Sequence, residues 1–103
     1  MATIVELDVR NPSGLHARPA AVFVKAAAGF SSDIRVANLT TDSAEVPAKS
    51  IIAVLGLGVQ RGHKIRLRCQ GVDEQAALSA LRGLVESGLE ESLDEAPPAA
   101  SVT

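Results

Sequence analysis

Apolar and polar residues alternate at the start of the chain, where Val5, Leu7 and Val9 take turns with Glu6, Asp8 and Arg10. A period of two puts each set on its own face, so the segment predicts a half-buried strand. Asn11-Pro12-Ser13-Gly14 breaks the pattern with turn formers and predicts a loop. From Ala17 to about Ala28 the period becomes helical, with Ala20, Phe23, Val24 and Ala27 on one face. Pro19 is tolerated in the first turn, where its missing N–H removes no helical hydrogen bond. Gly29 is placed to end this helix as a left-handed cap. Alternation returns from Asp33 to Ala37, with Ile34 and Val36 inward, and predicts a second strand.

Asn38 to Ser43 has turn composition, and Ala44-Glu45-Val46 predicts a short third strand. Ser50 is a good N-cap for a short apolar helix from Ile51 to Leu55, which Gly56 and Gly58 terminate. Lys64 to Gln70 is the clearest strand, with Ile65, Leu67 and Cys69 on one side and Lys64, Arg66 and Arg68 on the other. Asp73 caps a last helix whose inner stripe is Ala77, Leu78, Leu81 and Val85.

The order is β-α-β-β-α-β-α. Strands with one polar and one apolar face predict an α+β architecture: a four-stranded antiparallel sheet covered by three helices on a single side. Glu6, Asp8, Arg35, Arg66 and Arg68 fall on the outer face, where they are expected to pair across strands. From Glu90 the chain turns acidic and then rich in Ala, Pro and Ser. That shift predicts a folded domain over 1–89 and a disordered tail or linker over 90–103. There is no internal repeat.

Composition narrows the function. The 103 residues are 47% apolar but only 2% aromatic, so the core must be built from Ala, Val, Ile and Leu around two phenylalanines. A net charge of −2 and the absence of Trp and Tyr leave neither a basic footprint nor a stacking platform for nucleic acid. The lone Cys69 rules out an internal disulfide and suits a reducing compartment. The first residues lack a signal-peptide pattern, and no apolar run is long enough to span a bilayer. A soluble, cytoplasmic domain without membrane insertion is expected.

The candidate chemistry lies in Gly14-Leu15-His16-Ala17-Arg18-Pro19-Ala20. The segment sets a histidine at a helix start, where the first N–H groups lack intrahelical partners and the dipole favours oxygen anions. An imidazole there is disfavoured as a cation and available as a nucleophile. Arg18 supplies a planar donor fork suited to phosphoryl oxygens. The bland alternative is a surface histidine, a solvated arginine and a proline that starts a helix. His63, in the turn Arg61-Gly62-His63-Lys64, reads as a loop-surface residue that nothing pairs with His16. Two isolated histidines and Cys69 do not make a metal site. Cys69 itself reads as a buried, small apolar residue. No triad order, carboxylate pair or nucleotide-binding glycine loop points to hydrolysis or to a nucleotide-dependent kinase, and no cofactor is called for.

The same motif, with Phe23-Val24-Lys25 after it, resembles the signature of HPr, the histidine-containing phosphocarrier of the bacterial phosphoenolpyruvate:sugar phosphotransferase system. Ala48-Lys49-Ser50-Ile51-Ile52, continuing to Leu57-Gly58 and Gly62, resembles that family's regulatory-serine helix. Gly71-Val72-Asp73-Glu74-Gln75-Ala76 resembles the start of its last helix. The similarity runs from Thr3 to Glu90 and implies an open-faced β-sandwich. It departs from minimal members in a longer connection, Asn38 to Pro47, and in the tail. Both features resemble HPr domains embedded in multiphosphoryl-transfer fusions.

The resemblance implies that Nδ1 of His16 is phosphorylated by enzyme I and passes the group to enzyme IIA-type domains, so the chain is a carrier rather than an enzyme. Arg18 would stabilise the phosphoryl group, with the backbone of Ala17 and Arg18 binding its oxygens. Ser50 would be the target of a regulatory HPr kinase, and Ala17, Ala20, Ala21, Ile51, Ile52 and Leu55 would form the docking patch. Read without the family, Leu55 is a core residue. A monomer is expected, since such carriers meet partners one at a time. Two other readings compete: a regulatory module acting through Ser50 and its docking face, and a small ligand- or RNA-binding domain of the same element order.

Overall fold

A computed structural model describes residues 2–91. Seven elements follow in the expected order: β1 (Thr3–Asp8), α1 (Ala17–Ala28), β2 (Asp33–Asn38), β3 (Val46–Pro47), α2 (Ile51–Gly56), β4 (Lys64–Gln70) and α3 (Glu74–Glu86). The strands lie in the order β1-β4-β2-β3, and every neighbouring pair is antiparallel. The tail residues from 92 onward lie outside the described residues. No helix among the described residues is long and apolar enough to cross a membrane.

The inward set of each strand meets the helices. Leu7, Ile34, Val36, Ile65, Leu67 and Cys69 are buried against Ala20, Phe23 and Ala27 of α1 and the stripe Ala77, Leu78, Leu81 and Val85 of α3. Phe23 is the largest fully buried side chain. Truncating such a residue to alanine costs about 3–5 kcal/mol. Burial also pushes the Cys69 thiol up, and nearby Glu74, Asp73 and Asp33 add to the rise. It is a packing residue rather than a nucleophile.

The outer face pairs differently from the expected cross-strand ladder. Arg35 and Arg68 sit directly opposite each other, a repulsive register. Arg35 is answered by Asp33 on its own strand at 3.2 Å. Arg68 donates to both carboxylate oxygens of Glu45, and Arg66 lies 3.7 Å from the same carboxylate. Glu6, the register partner of Arg66, is bypassed, whereas Asp8 meets Lys64 at 3.8 Å. Glu45 precedes the third strand, which begins at Val46 rather than at Ala44.

Two helix ends also depart from expectation. Gly29 closes α1 in a right-handed conformation (φ −77°), its N–H donating to Ala26 O at 3.1 Å. Lys49 Nζ donates to Phe30 O, two residues past the last residue of α1. Asp73 occupies the N-cap of α3 but makes no capping bond. Its carboxylate accepts instead from the N–H and hydroxyl of both Ser31 and Ser32, joining the start of α3 to the entry of β2.

Candidate functional site

The loop from Val9 to Leu15 carries the chain from β1 to α1, and the turn ahead of β4 braces it. Val9 N–H donates to His63 O at 2.8 Å, Gly62 N–H to Val9 O at 2.7 Å, and Leu15 N–H to Val59 O at 3.0 Å. Gly14 has φ +60°, and a Cβ there would lie 2.3 Å from Val59 O. Only glycine fits this close approach. Leu15 is then buried completely, and the next side chain, His16, emerges half-buried.

His16 is the N-cap of α1, with extended backbone and no side-chain capping bond. Its imidazole is therefore not used up by the helix it starts. Pro19 has no N–H, so the first-turn donors beyond the cap are those of Ala17 and Arg18. Ala17 holds φ +51°, a left-handed conformation that a non-glycine residue adopts only at a cost of about 1–3 kcal/mol. Arg18 and Ala17 are both exposed. The cap position, the exposed guanidinium and the two backbone donors stand within three consecutive residues.

Of the docking residues expected around it, Ala17 and Ala21 of α1 are exposed, as are Ile51, Ile52 and Leu55 of α2. The packing of α1 on α2 sets them on adjoining helices. Ile52 is 80% exposed and Leu55 39%. The reading of Leu55 as a core residue is thus overturned, because α2 is six residues long and buries Val54 in its place. Ala20 is corrected in the other direction: it is fully buried and cannot belong to a surface patch. It lies on the face of α1 that holds Phe23 and Ala27 against the core. Ser50 caps α2, its Oγ accepting from Ala53 N–H at 3.2 Å.

Sequence reasoning missed four supports. His63 is half-buried, and its Nδ1 receives the Gln60 N–H at 3.2 Å and faces Asn38 Nδ2 at 3.1 Å. Two donors converging on Nδ1 assign the ring proton to Nε2. Asn38 is pinned in turn, since its Oδ1 accepts from Thr40 and Thr41 and its Nδ2 donates to Leu57 O. Asn11, read as a loop residue, is fully buried. Glu91, assigned to the tail, reaches back to hydrogen-bond Asn11 and Ser13. An asparagine before proline signals a turn, but nothing local to it announces a partner 80 positions away.

The fold is thus an open-faced sandwich that presents one histidine at a helix start, with apolar side chains exposed on the adjoining helix. The profile described as "PTS HPr component phosphorylation site" matches residues 5–87. The chain belongs to the HPr family, the phosphocarriers of the phosphotransferase system. It is 46% identical over 85 residues to the phosphocarrier protein HPr of Streptomyces coelicolor, covering 82% of this chain and 89% of that one. It is 38% identical over 97 residues to the multiphosphoryl transfer protein of Haemophilus influenzae, covering 94% of this chain. This chain spans 19% of the length of that relative. The crystal structure of HPr-C-His from Thermoanaerobacter tengcongensis superimposes with a TM-score of 0.83 at 44% identity, covering 88% of this chain and 99% of that chain.

Proposed function

We propose that the chain accepts a phosphoryl group on Nδ1 of His16 from phosphorylated enzyme I and passes it to an enzyme IIA-type domain, acting as a carrier and a monomer. The observation that carries this reading is the position of His16: N-cap of α1, half-buried, with its side chain free of any capping duty. In the first step the imidazole nitrogen attacks phosphorus in line as the donor's bond to phosphorus breaks. In the second, the bond to His16 breaks as the acceptor's nucleophile attacks. The N–H groups of Ala17 and Arg18 and the Arg18 guanidinium meet the phosphoryl oxygens in both steps. The partner proteins supply most of the positioning, so this chain needs no enclosed cavity.

Ala17, Ala21, Ile51, Ile52 and Leu55 form the contact for these partners, a small apolar centre of the kind suited to brief encounters. Ser50 is the position at which an HPr kinase would regulate the contact, adding charge to the N-terminus of α2 beside the exposed isoleucines.

The test is to incubate the chain with phosphoenolpyruvate and catalytic enzyme I, then add a IIA-type domain and follow acid-labile phosphate on both proteins. The carrier reading expects phosphate to load this chain and then discharge to the acceptor, with neither step in His16→Ala. Absence of loading from several enzyme I sources would leave the regulatory-module reading in its place.

A further inference from the structure

Glu91 accepts three hydrogen bonds from the loop that leads to His16. Its Oε1 takes Asn11 Nδ2 at 2.9 Å and the Ser13 N–H at 3.0 Å, and its Oε2 takes Ser13 Oγ at 2.9 Å. Asn11 uses Nδ2 a second time, donating to Gly14 O at 3.0 Å. One buried amide thus spans from the Glu91 carboxylate to the carbonyl two residues before the histidine. Asn11 Oδ1 is buried with no partner among the described residues. The amide keeps that orientation because turning it over would set Oδ1 against two other acceptors, Gly14 O and Glu91 Oε1.

The rest of the loop explains why this matters. Its ends are tied by main-chain bonds from Val9 and Leu15 to the turn before β4. The middle, residues 11–13, is tied to the fold by Glu91. The glutamate is brought there by the end of α3: Gly88 takes φ +98°, Leu89 folds back into the core, and Glu91 N–H donates to Gly88 O at 2.8 Å. Burial works to raise the Glu91 pKa, but the donors from Asn11 and Ser13 outweigh it, and the net shift is downward. The carboxylate is therefore held as the anion that its three donors need.

We infer that Glu91 is a positioning residue for His16: its carboxylate latches the 11–14 loop and so fixes how the chain delivers the imidazole to the start of α1. The inference rests on the carrier reading for its consequence in transfer, and on the hydrogen bonds alone for its consequence in loop order.

The experiment uses the full chain and compares Glu91→Gln, Glu91→Ala and Ser13→Ala with Glu90→Gln, which removes a neighbouring charge outside the latch. Amide exchange is followed by NMR at Ser13–Ala17 and across β4, and transfer from enzyme I is resolved into KM and kcat. The latch predicts exchange at Ser13–Ala17 faster by about tenfold in both Glu91 variants, with β4 unaffected and Ser13→Ala intermediate. If the competent loop population falls to about one fifth, the apparent KM for the carrier rises about fivefold. Glu90→Gln should match wild type. Unchanged exchange at Ser13–Ala17 would overturn the inference, as would equal acceleration across β4. Local loosening with wild-type KM and kcat would also overturn it, leaving Glu91 a strap without effect on His16. If the wild-type chain accepts no phosphoryl group, the carrier reading fails by itself, and the exchange measurement alone then decides the latch.

Discussion

The backbone of Gly14 lies so close to Val59 that a single added carbon would come within 2.3 Å of the Val59 carbonyl oxygen, while the N–H of Leu15 donates to that same oxygen at 3.0 Å. This contact fixes where the chain turns toward His16. Gly14→Ala should destabilise the fold by more than about 1 kcal/mol, since the residue adds both a left-handed strain and a steric conflict with main chain. Denaturant unfolding measures the loss. Phosphoryl uptake by the folded fraction should fall as well, because the displaced carbonyl no longer anchors Leu15.

Ser50 offers a separation of two roles. Ser50→Ala removes the acceptor for Ala53 N–H and should cost about 1 kcal/mol in denaturant unfolding. Ser50→Asp keeps a capping oxygen and should retain wild-type stability. It also sets a negative charge beside Ile51 and Ile52, so its KM with enzyme I should rise while its unfolding midpoint stays put. Equal KM for Asp and Ser would argue against charge at this position controlling the contact.

Ile52 is the sharpest probe of the proposed contact surface because it is 80% exposed and holds little of the core. Ile52→Glu should shift stability by no more than about 0.5 kcal/mol. An apolar anchor lost from the centre of a small interface costs about 1.4 kcal/mol or more, which is a tenfold rise in KM with kcat preserved. A normal KM would remove α2 from the docking surface.

Asp73 predicts an acid-range signature. The hydroxyl of Ser32 and the N–H of Ser31 lower its carboxyl from its ordinary value of 3.8 to about 2. Because the folded value lies below the unfolded one, the stabilisation is fully present above pH 3.8 and is lost as pH falls toward about 2. Asp73→Asn should therefore be less stable than wild type near neutrality, with the gap closing across that window. A gap that stays constant on acidification would show that the ionised carboxylate is not what joins Ser31 and Ser32 to α3.

Much of this fold was legible from pattern alone, and the reason differs by element. β4 and the inner stripe of α3 carry strict periods of two and of 3.6, and both were predicted with the residues observed. Ser50 was predicted as a cap because the cap is local chemistry. Features set by tertiary neighbours were hidden. Glu45 collects Arg66 and Arg68 only because β3 ends up beside β2, on the far side of β2 from β4. Asp73 abandons its capping bond because Ser31 and Ser32 arrive from another element. Ala20 and Leu55 exchanged places between surface and core because helix periodicity gives a face but not which neighbour covers it. His16 and Arg18 were evident as a motif. The Gly14–Val59 contact, the strained Ala17 and the Glu91 carboxylate required coordinates.

By the proposed function, one particular nitrogen of one of the chain's two histidines carries the phosphoryl group. Two-bond proton–nitrogen NMR correlation on the imidazoles, recorded before and after treatment with phosphoenolpyruvate and enzyme I, reads this directly. A phosphoryl-shifted Nδ1 on His16 is expected, with an unchanged His63 whose Nδ1 keeps its bond from Gln60. Phosphate on His63, on Nε2 of His16, or on neither ring would contradict it.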